Sequence, residues 1–533
     1  MSTHPPTAPS PSAWSVLRHP PFRGLWTSGG VYFIANAMQT MAAAWMMVEL
    51  TGSSFLAALV QTAVFLPMFL LSLPAGVLAD ITDRRRLMLG ALLVQAIVIA
   101  LLAALLVAGW AGPATVLLLT FVAGSCTALL SPAWNSALAD TIPRDELPQA
   151  ITAISISYNA ARALGPALAG VVYAQAGGGW VFALALAGTL AMLQSLRRYP
   201  PRAHPPSRLP AERLWGGMAS ALRFARHSDI ILAQLVRTGA YSGAGSALWA
   251  LLPVIGQRQL GLGAEGYGLL MGCLGTGAVM VGLVLGRLRG RVGLEALVIG
   301  GCAVFGAVML IAAFSRLPWL TYLSLVMGGA AWMAVMATFN TATQTSAPPW
   351  VRARALSMHT LCALGSFALG SAFWGALSGI AGLTVALCVA AAATFAGMLL
   401  ARPFPLRIGA APDVTPATTP WEELFVAHEP SPQDGPVAVE IGYRIEPGDA
   451  AAFLDALSLL RAPRRRDGAT FWRAYRDLGD PSRYVERFIV TSWADYLHQR
   501  ARATLADQEL EARVRAFVPA GEPVTTAHYI AER

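Results

Sequence analysis

The chain has 533 residues, of which 55% are hydrophobic and 13% charged, where a soluble domain carries about a quarter charged residues. With a mean hydropathy of +0.54 the apolar residues exceed what one conventional core can hold, so lipid must solvate most of the chain and a water-soluble enzyme is excluded. The net charge of +9 would suit a nucleic-acid binder in a soluble protein, but its placement assigns it to membrane topology, and no nucleic-acid partner is expected.

Residues 1–23 are rich in Pro, Ser and Thr and read as a cytoplasmic tail with no removable signal peptide. A helix crossing the hydrocarbon core needs about 20 mostly apolar residues. Such windows fall near 24–49, 53–79, 86–109, 113–140, 147–175, 179–196, 229–256, 264–287, 292–314, 318–344, 354–379 and 382–400. They predict an all-α membrane protein of 12 transmembrane helices. Residues 24–196 form one six-helix bundle, 197–228 a cytoplasmic linker whose later part suits an amphipathic helix on the inner leaflet, and 229–400 a second bundle. A linker over 401–435 leads to a soluble domain over 436–533.

All 38 basic residues are arginine, and twenty of those in the loops and linkers up to residue 407 fall on one side of these spans, against only Arg258 and Arg316 on the other. Cytoplasmic loops keep the positive excess, so both termini are expected in the cytoplasm of a multi-pass inner-membrane protein. The five cysteines stand singly in apolar runs, with no CxxC pair or histidine cluster at ligand spacing, so no metal and no cofactor is expected. The GxGxxG over 261–266 sits in a short loop with no preceding strand, and a nucleotide reading fails.

A shift of 205 residues aligns WNSALADTIPRDELPQA (134–150) with FNTATQTSAPPWVRARA (339–355). Asn135 meets Asn340, Pro143 meets Pro348, Gly165 meets Gly370 and Gly170 meets Gly375. Spans six apart share an orientation, so the bundles read as parallel repeats of the kind secondary transporters use.

Ionisable groups inside lipid are costly and are functional candidates. Arg162 in the fifth span and Arg237 in the seventh are expected to face a central cavity, the plainer alternatives being that Arg162 pairs with a neighbouring carbonyl or Asn159 and that Arg237 snorkels to the inner surface; no Asp or Glu lies well inside a span, and Glu49, Asp140 and Asp229 sit near predicted ends. That pattern favours an anionic or amphipathic small-molecule substrate. Tyr32, Asn36 and Gln39 in the first span, Tyr158 in the fifth, and Gln234 and Tyr241 in the seventh are candidate substrate contacts, each with helix packing as the plainer alternative. His359 and Asp80 are the candidates for carrying a counter-transported proton.

Gly76-Val77-Leu78-Ala79-Asp80-Ile81-Thr82-Asp83-Arg84-Arg85-Arg86 resembles the signature loop of the major facilitator superfamily, with Asp83 where the family has Gly. The resemblance implies a gating latch through Gly76, Asp80, Arg84 and Arg85, with Asp140 at the inner end of the fourth span. Gly165-Pro166-Ala167-Leu168-Ala169-Gly170 resembles the antiporter signature of exporters in that superfamily, which makes Gly165, Pro166 and Gly170 gating residues and predicts a kink at Pro166 in the first half only.

In the soluble tail, VAVEIGYRI (437–445) reads as a strand, AAAFLDALSLL as a helix, TFWRAYRDL and RYVERFIVTSW as strands, ADYLHQRARATLADQELEARVRAF as one helix and VTTAHYIA as a strand. The order βαββαβ predicts a small α+β ferredoxin-like domain. Arg464-Arg465-Arg466-Asp467-Gly468-Ala469, Trp472, Glu486-Arg487-Phe488, Ser492-Trp493, Asp495-Tyr496-Leu497-His498-Gln499-Arg500, Arg502-Ala503-Thr504 and Asp507 resemble the tail of the transmembrane secretion effectors, relatives of the enterobactin exporters; Tyr496 and Ala501 stand where that group more often has His. The resemblance covers essentially the whole chain. It implies proton-linked export of small drug-like or siderophore-like compounds by alternating access. Similar small domains pair as dimers in certain monooxygenases, so the tail has three readings: regulatory, homodimerising, or catalytic or sensory in a membrane-tethered protein. Import of a metabolite by the same fold is the remaining alternative.

Overall fold

Long apolar runs punctuated by Gly, Pro and Asp set the helices. In this computed structural model, which describes residues 15–139, 141–143, 146–198, 222–348, 351–407, 415, 417 and 430–532, α1 (Pro20–Thr51) starts on two prolines that need no N–H partner and stops at Gly52, whose φ of 61° lets the chain turn. α2 (Ser54–Ile81) is capped by the Ser53 hydroxyl and α3 (Arg84–Val107) by the Asp83 carboxylate. α4 (Pro113–Ala139), α5 (Leu147–Ala176) and α6 (Gly178–Arg198) follow. α7 (Asp229–Val254) runs into a π-helical turn (Ile255–Gln259), and then come α8 (Ala264–Arg291), α9 (Leu294–Phe314), α10 (Pro318–Ser346), α11 (Arg352–Ala381) and α12 (Leu383–Leu399).

Nine helices among the described residues are long and apolar enough to cross a membrane. α5 and α7 are not among them, because each carries an arginine with several hydroxyl and amide side chains, and α12 has only 17 residues. Ile97, Leu283 and Ile380 stay exposed at 58%, 78% and 87%, a surface suited to lipid rather than water.

The chain divides into two compact units, one of Met1–Pro206, Thr238–Thr338 and Leu361–Leu400, the other of Ser207–Arg237, Phe339–Thr360 and Ala401–Arg533. The first unit buries Tyr32, Leu92, Leu130, Trp134 and Leu196 from α1, α3, α4 and α6 in one cluster. In the second, Phe224, Ile231, Ala347, Val351 and Ala355 pack together.

The second unit also holds a four-stranded antiparallel sheet of order β2-β3-β1-β4, the order of a ferredoxin-like βαββαβ fold. Its elements are β1 (Val437–Arg444), α13 (Ala450–Ser458), α14 (Arg461–Asp467), β2 (Phe471–Arg476), β3 (Arg483–Val490), α15 (Trp493–Arg502), α16 (Leu505–Arg515) and β4 (Thr525–Ile530). Alternate residues of β1 and β3 (Val437, Val439, Ile441 and Tyr443; Tyr484, Phe488 and Val490) build the core with Phe453, Leu457 and Trp493. The single helix expected over 494–517 is two. Thr504 takes extended backbone and forms a capping box with Asp507, which ends one helix and starts the next.

Several residues of the tail motif bond one another. Glu486, fully buried on β3, accepts from Arg464 Nε (3.1 Å), Trp472 Nε1 (2.8 Å) and Tyr443 Oη (3.2 Å), and Glu511 takes the other arm of Arg464 at 2.9 Å. Arg466 bridges Asp467 and Asp507, and Gln499 and Arg502 donate to the carbonyls of Arg464 and Asp467. Burial pushes the Asp467 carboxyl up to about 6 even beside Arg466, since Asp507 shares that guanidinium. Glu486→Ala is expected to lower the stability of this domain by about 3 kcal/mol, because it strips a buried guanidinium of a partner, while Glu486→Gln keeps an acceptor and loses less. Pulse proteolysis of the full chain in urea measures both.

Candidate functional site

Arg162 lies exposed on α5 with its guanidinium 5.4 Å from the centroid of the Trp249 ring on α7, a cation–π distance. Asn159, one turn away, donates its amide N–H to the Ser155 carbonyl at 2.8 Å. Proline recurs beside this pair. Pro166 has no N–H for the carbonyl of Arg162, and Pro253 has none for that of Trp249, so each helix lacks a backbone bond at the level of the contact. Backbone freed at membrane depth is tolerated where it is buried in protein or lines a cavity.

Trp249 opens onto an aromatic cluster. Its ring meets Trp332 at 6.1 Å; Trp332 stacks on Tyr241 at 5.2 Å and touches Phe305 (5.4 Å) and Phe367 (6.0 Å), and Phe367 reaches Phe65 of α2 at 4.7 Å. The cluster thus draws on α2, α7, α9, α10 and α11. Tyr241 Oη and Trp249 Nε1 are buried with no hydrogen-bond partner among the described residues, as is Gln39 Oε1 on α1. Buried polar atoms are almost always paired. A guanidinium, a hydroxyl and an indole N–H beside flat rings suit a ligand that has a planar part and acceptor oxygens.

The other sequence candidates have different settings. Tyr158 meets Phe33 edge-on at 5.4 Å, Tyr32 is buried and donates to Gln95 Oε1 at 2.9 Å, and Asn36 is half-buried on α1. Arg237, 3% exposed, lies in the second unit with its guanidinium 5.9 Å from the Phe339 ring, and Gln234 donates there to Ser346 Oγ and the Arg407 carbonyl, both at 3.4 Å. His359 is buried in the same unit. Tyr241 alone of these candidates joins the aromatic cluster, and Arg162 reaches it through Trp249. Sequence reading misses Trp249, Trp332, Phe305 and Phe367; the available signal is two tryptophans in otherwise Ala- and Gly-rich helices.

Small residues bring helices together at one end of the first unit. A Cβ at Gly268 would stand 2.5 Å from the Pro166 carbonyl and one at Gly170 2.7 Å from that of Ala264, so α5 and α8 touch through backbone. At Gly375 a Cβ would overlap Ala58, and the Thr62 hydroxyl of α2 donates to the Ala368 carbonyl of α11 at 2.9 Å. Trp45 of α1 stacks on Tyr267 of α8 at 5.6 Å, and Arg258 donates to the Gly52 carbonyl. Gly165 instead packs on α1, where a Cβ would lie 3.0 Å from the Ile34 carbonyl.

In the loop before α3, Asp83 caps the helix through Arg86 N at 3.0 Å, and Arg85 caps the C-terminus of α6 by donating to the carbonyls of Leu196 (3.2 Å) and Arg197 (2.7 Å). Asp83 thereby acts as a helix cap where the superfamily loop has Gly. Arg84 is half-buried at the first position of α3. The side chain of Asp80, the burial of Gly76 and all of Asp140 lie outside the described residues.

The model of the transmembrane secretion effector family matches residues 11–533. The chain belongs to that family. Among curated relatives, the multidrug efflux pump Tap of Mycolicibacterium fortuitum is 26% identical over 65% of this chain and 87% of its own length, and the enterobactin exporter EntS of Citrobacter koseri is 27% identical over 68% and 86%. Solved structures share the fold: the nucleoside transporter NupG aligns with a TM-score of 0.62 at 11% identity over 72% of this chain and all of that one. A bacterial homologue of the human lysosomal transporter Spinster aligns at 0.57 and 15% over 74% and 99%. This secretion effector is therefore a multi-pass inner-membrane transporter of major facilitator type that handles small molecules, with an antiparallel-sheet domain at its C-terminus, and it is not an enzyme.

Proposed function

We propose that this secretion effector exports small amphipathic compounds, anionic ones included, across the inner membrane in exchange for protons. The observation that carries this reading is Arg162 set against Trp249 beside an aromatic cluster with unpartnered donors at Tyr241 and Trp249. Planar, oxygen-rich compounds of drug or siderophore type match that chemistry. Efflux, named for both curated relatives above, favours export over import.

On this reading twelve helices cross the bilayer as two parallel six-helix repeats, with both termini in the cytoplasm. The glycines paired by the 205-residue shift support the repeat through their neighbours. Gly165 packs on α1 and Gly370 on α7 around Gly243, each against the first helix of its own half. Gly170 packs on α8 and Gly375 on α2, each against the second helix of the other half. Contacts between the halves in the first unit run from Gly52, Tyr267 and Gly375 at the arginine-poor end as far as Gly275 against Ala163 and Gly365 against Phe69. That suits a protein closed outward, rocking about a central site. Asn36, Gln39, Tyr32 and Tyr158 are secondary contacts on this reading, and Asp80 and His359 carry the proton.

Inverted vesicles test it. With a panel of planar acidic and neutral dyes, energised vesicles containing the protein should accumulate the acidic members several-fold over empty ones, and dissipating the proton gradient should abolish the difference. Absence of any accumulation overturns export, and accumulation indifferent to the gradient overturns proton exchange.

A further inference from the structure

Carboxylates are scarce in this bundle, and one of them sits where the two halves meet. Glu49, in the last turn of α1, accepts from its own helix through Trp45 Nε1 at 2.7 Å and from α5 through Tyr173 Oη at 2.5 Å. Trp45 is 2% exposed and stacks nearly parallel on Tyr267 of α8, 5.6 Å between centroids at 19°. The Tyr267 ring is fully buried and its hydroxyl has no hydrogen-bond partner among the described residues. One carboxylate thereby fixes the indole that α8 packs against and the helix, α5, that runs along α8. Three residues further on, the Gly52 carbonyl receives the guanidinium of Arg258 from the π-helical turn after α7.

We infer that Glu49 is the positioning residue of the outer closure, clamping it when ionised and loosening it when protonated. The inference rests on the arginine-poor end being the outer one, as proposed above. Charge-assisted hydrogen bonds are roughly twice as strong as neutral ones. Addition of one proton to the carboxylate leaves a neutral carboxyl that still accepts from the Trp45 N–H and donates to Tyr173 Oη, but with the charge assistance gone from both. The same proton removes the negative charge from an end that carries the cationic Arg258. The other ionisable groups on elements packed here are Tyr173 on α5, Tyr267 and Glu265 on α8, and Arg258. Arginine is charged and tyrosine neutral throughout the physiological range. Glu265, in the first turn of α8, is the remaining acid and serves as the control.

An acidic exterior then favours the outward-open state, in which substrate leaves. The clamp needs no carboxylate in mid-membrane, where the sequence has none well inside a span. It also accounts for an acid at a helix C-terminus, where the dipole disfavours negative charge.

Spin labels at Val107→Cys and Trp319→Cys, exposed residues on α3 and α10, report the outer opening in purified full-length protein whose five native cysteines are replaced by serine. Between pH 7.5 and 4.5, a range that reaches ordinary carboxyl protonation, the wild-type clamp should shift a several-fold larger fraction to the longer distance. Glu49→Gln copies the protonated carboxyl and should show the longer distance at both pH values. Tyr173→Phe, which keeps the charge, should remain pH-responsive with more opening at pH 7.5. Glu265→Gln should follow the wild type. The inference is overturned if the distances do not move with pH, if Glu49→Gln tracks the wild type, or if Glu265→Gln alone abolishes the response. Vesicle uptake on the same variants separates the two readings. Export with a pH-blind clamp sinks this inference alone, and a responsive clamp without export of any compound sinks the transport reading.

Discussion

Gly268→Ala is expected to leave a folded protein whose export falls about thirtyfold, whereas Gly329→Ala is expected to remove most of the protein from the membrane. Both substitutions add one methyl group, and both aim it at a backbone carbonyl. At Gly268 the new Cβ would stand 2.5 Å from the Pro166 oxygen and 2.9 Å from the Gly170 Cα, so α5 and α8 must part. At Gly329 it would overlap the Leu274 carbonyl, and at Gly277 the reciprocal overlap falls on Val326, so α8 and α10 must part. The difference is which contacts have to persist. On the proposed transport cycle, alternating access would break the α5–α8 seam in every turnover, and an overpacking cost of about 2 kcal/mol there would shift the balance of open and closed states by roughly a factor of thirty while each half remains intact. The α8–α10 contact lies within one half and is needed in every state, so the same cost falls on folding. Gly268→Ala should therefore keep wild-type yield and thermal midpoint in detergent with slow export, and Gly329→Ala should lose both. Equal yields for the two variants would refute the distinction.

What the sequence makes legible follows from how local each signal is. Apolar runs bounded by Gly and Pro give helices to within a few residues, and strict alternation in VAVEIGYR gives β1 with its buried face correct. The break at Ala503–Thr504 is harder to see, because apolar spacing continues across it and only the Thr-x-x-Asp cap marks the division. Arg162 is legible because a charge stands out in an apolar helix. Trp249 is not, since nothing local separates a tryptophan that faces a site from one that faces lipid. Proline four residues after each of them is a usable mark, but only once the two are known to touch. Glu49 is placed by sequence near a span end and so among the less interesting acids; its importance comes from Tyr173, 124 residues later, and no periodicity within either helix relates the two.

Arg162→Ala should cut export of acidic compounds about a hundredfold in kcat/KM and leave neutral compounds within a few-fold. A hydrogen bond to a charged group contributes about 1.5–3 kcal/mol, and only a substrate with an anionic oxygen can use it fully. Arg162→Lys keeps the charge but not the planar fork that lies against an indole, so it should recover part of the loss. Trp249→Ala removes one face of the site. Because the ring also orients the guanidinium, its effect on acidic substrates should not add to that of Arg162→Ala: the double variant should be little worse than Arg162→Ala alone, an interaction of about 0.5–1 kcal/mol for an exposed cation–π pair. For neutral planar substrates the outcome reverses, with Trp249→Ala the larger loss and Arg162→Ala the smaller. Vesicle uptake of matched acidic and neutral dyes, normalised to protein amount, resolves all four variants. Equal losses on both substrate classes would assign Arg162 to helix packing instead of recognition, and additive losses would mean that guanidinium and ring act on separate parts of the substrate.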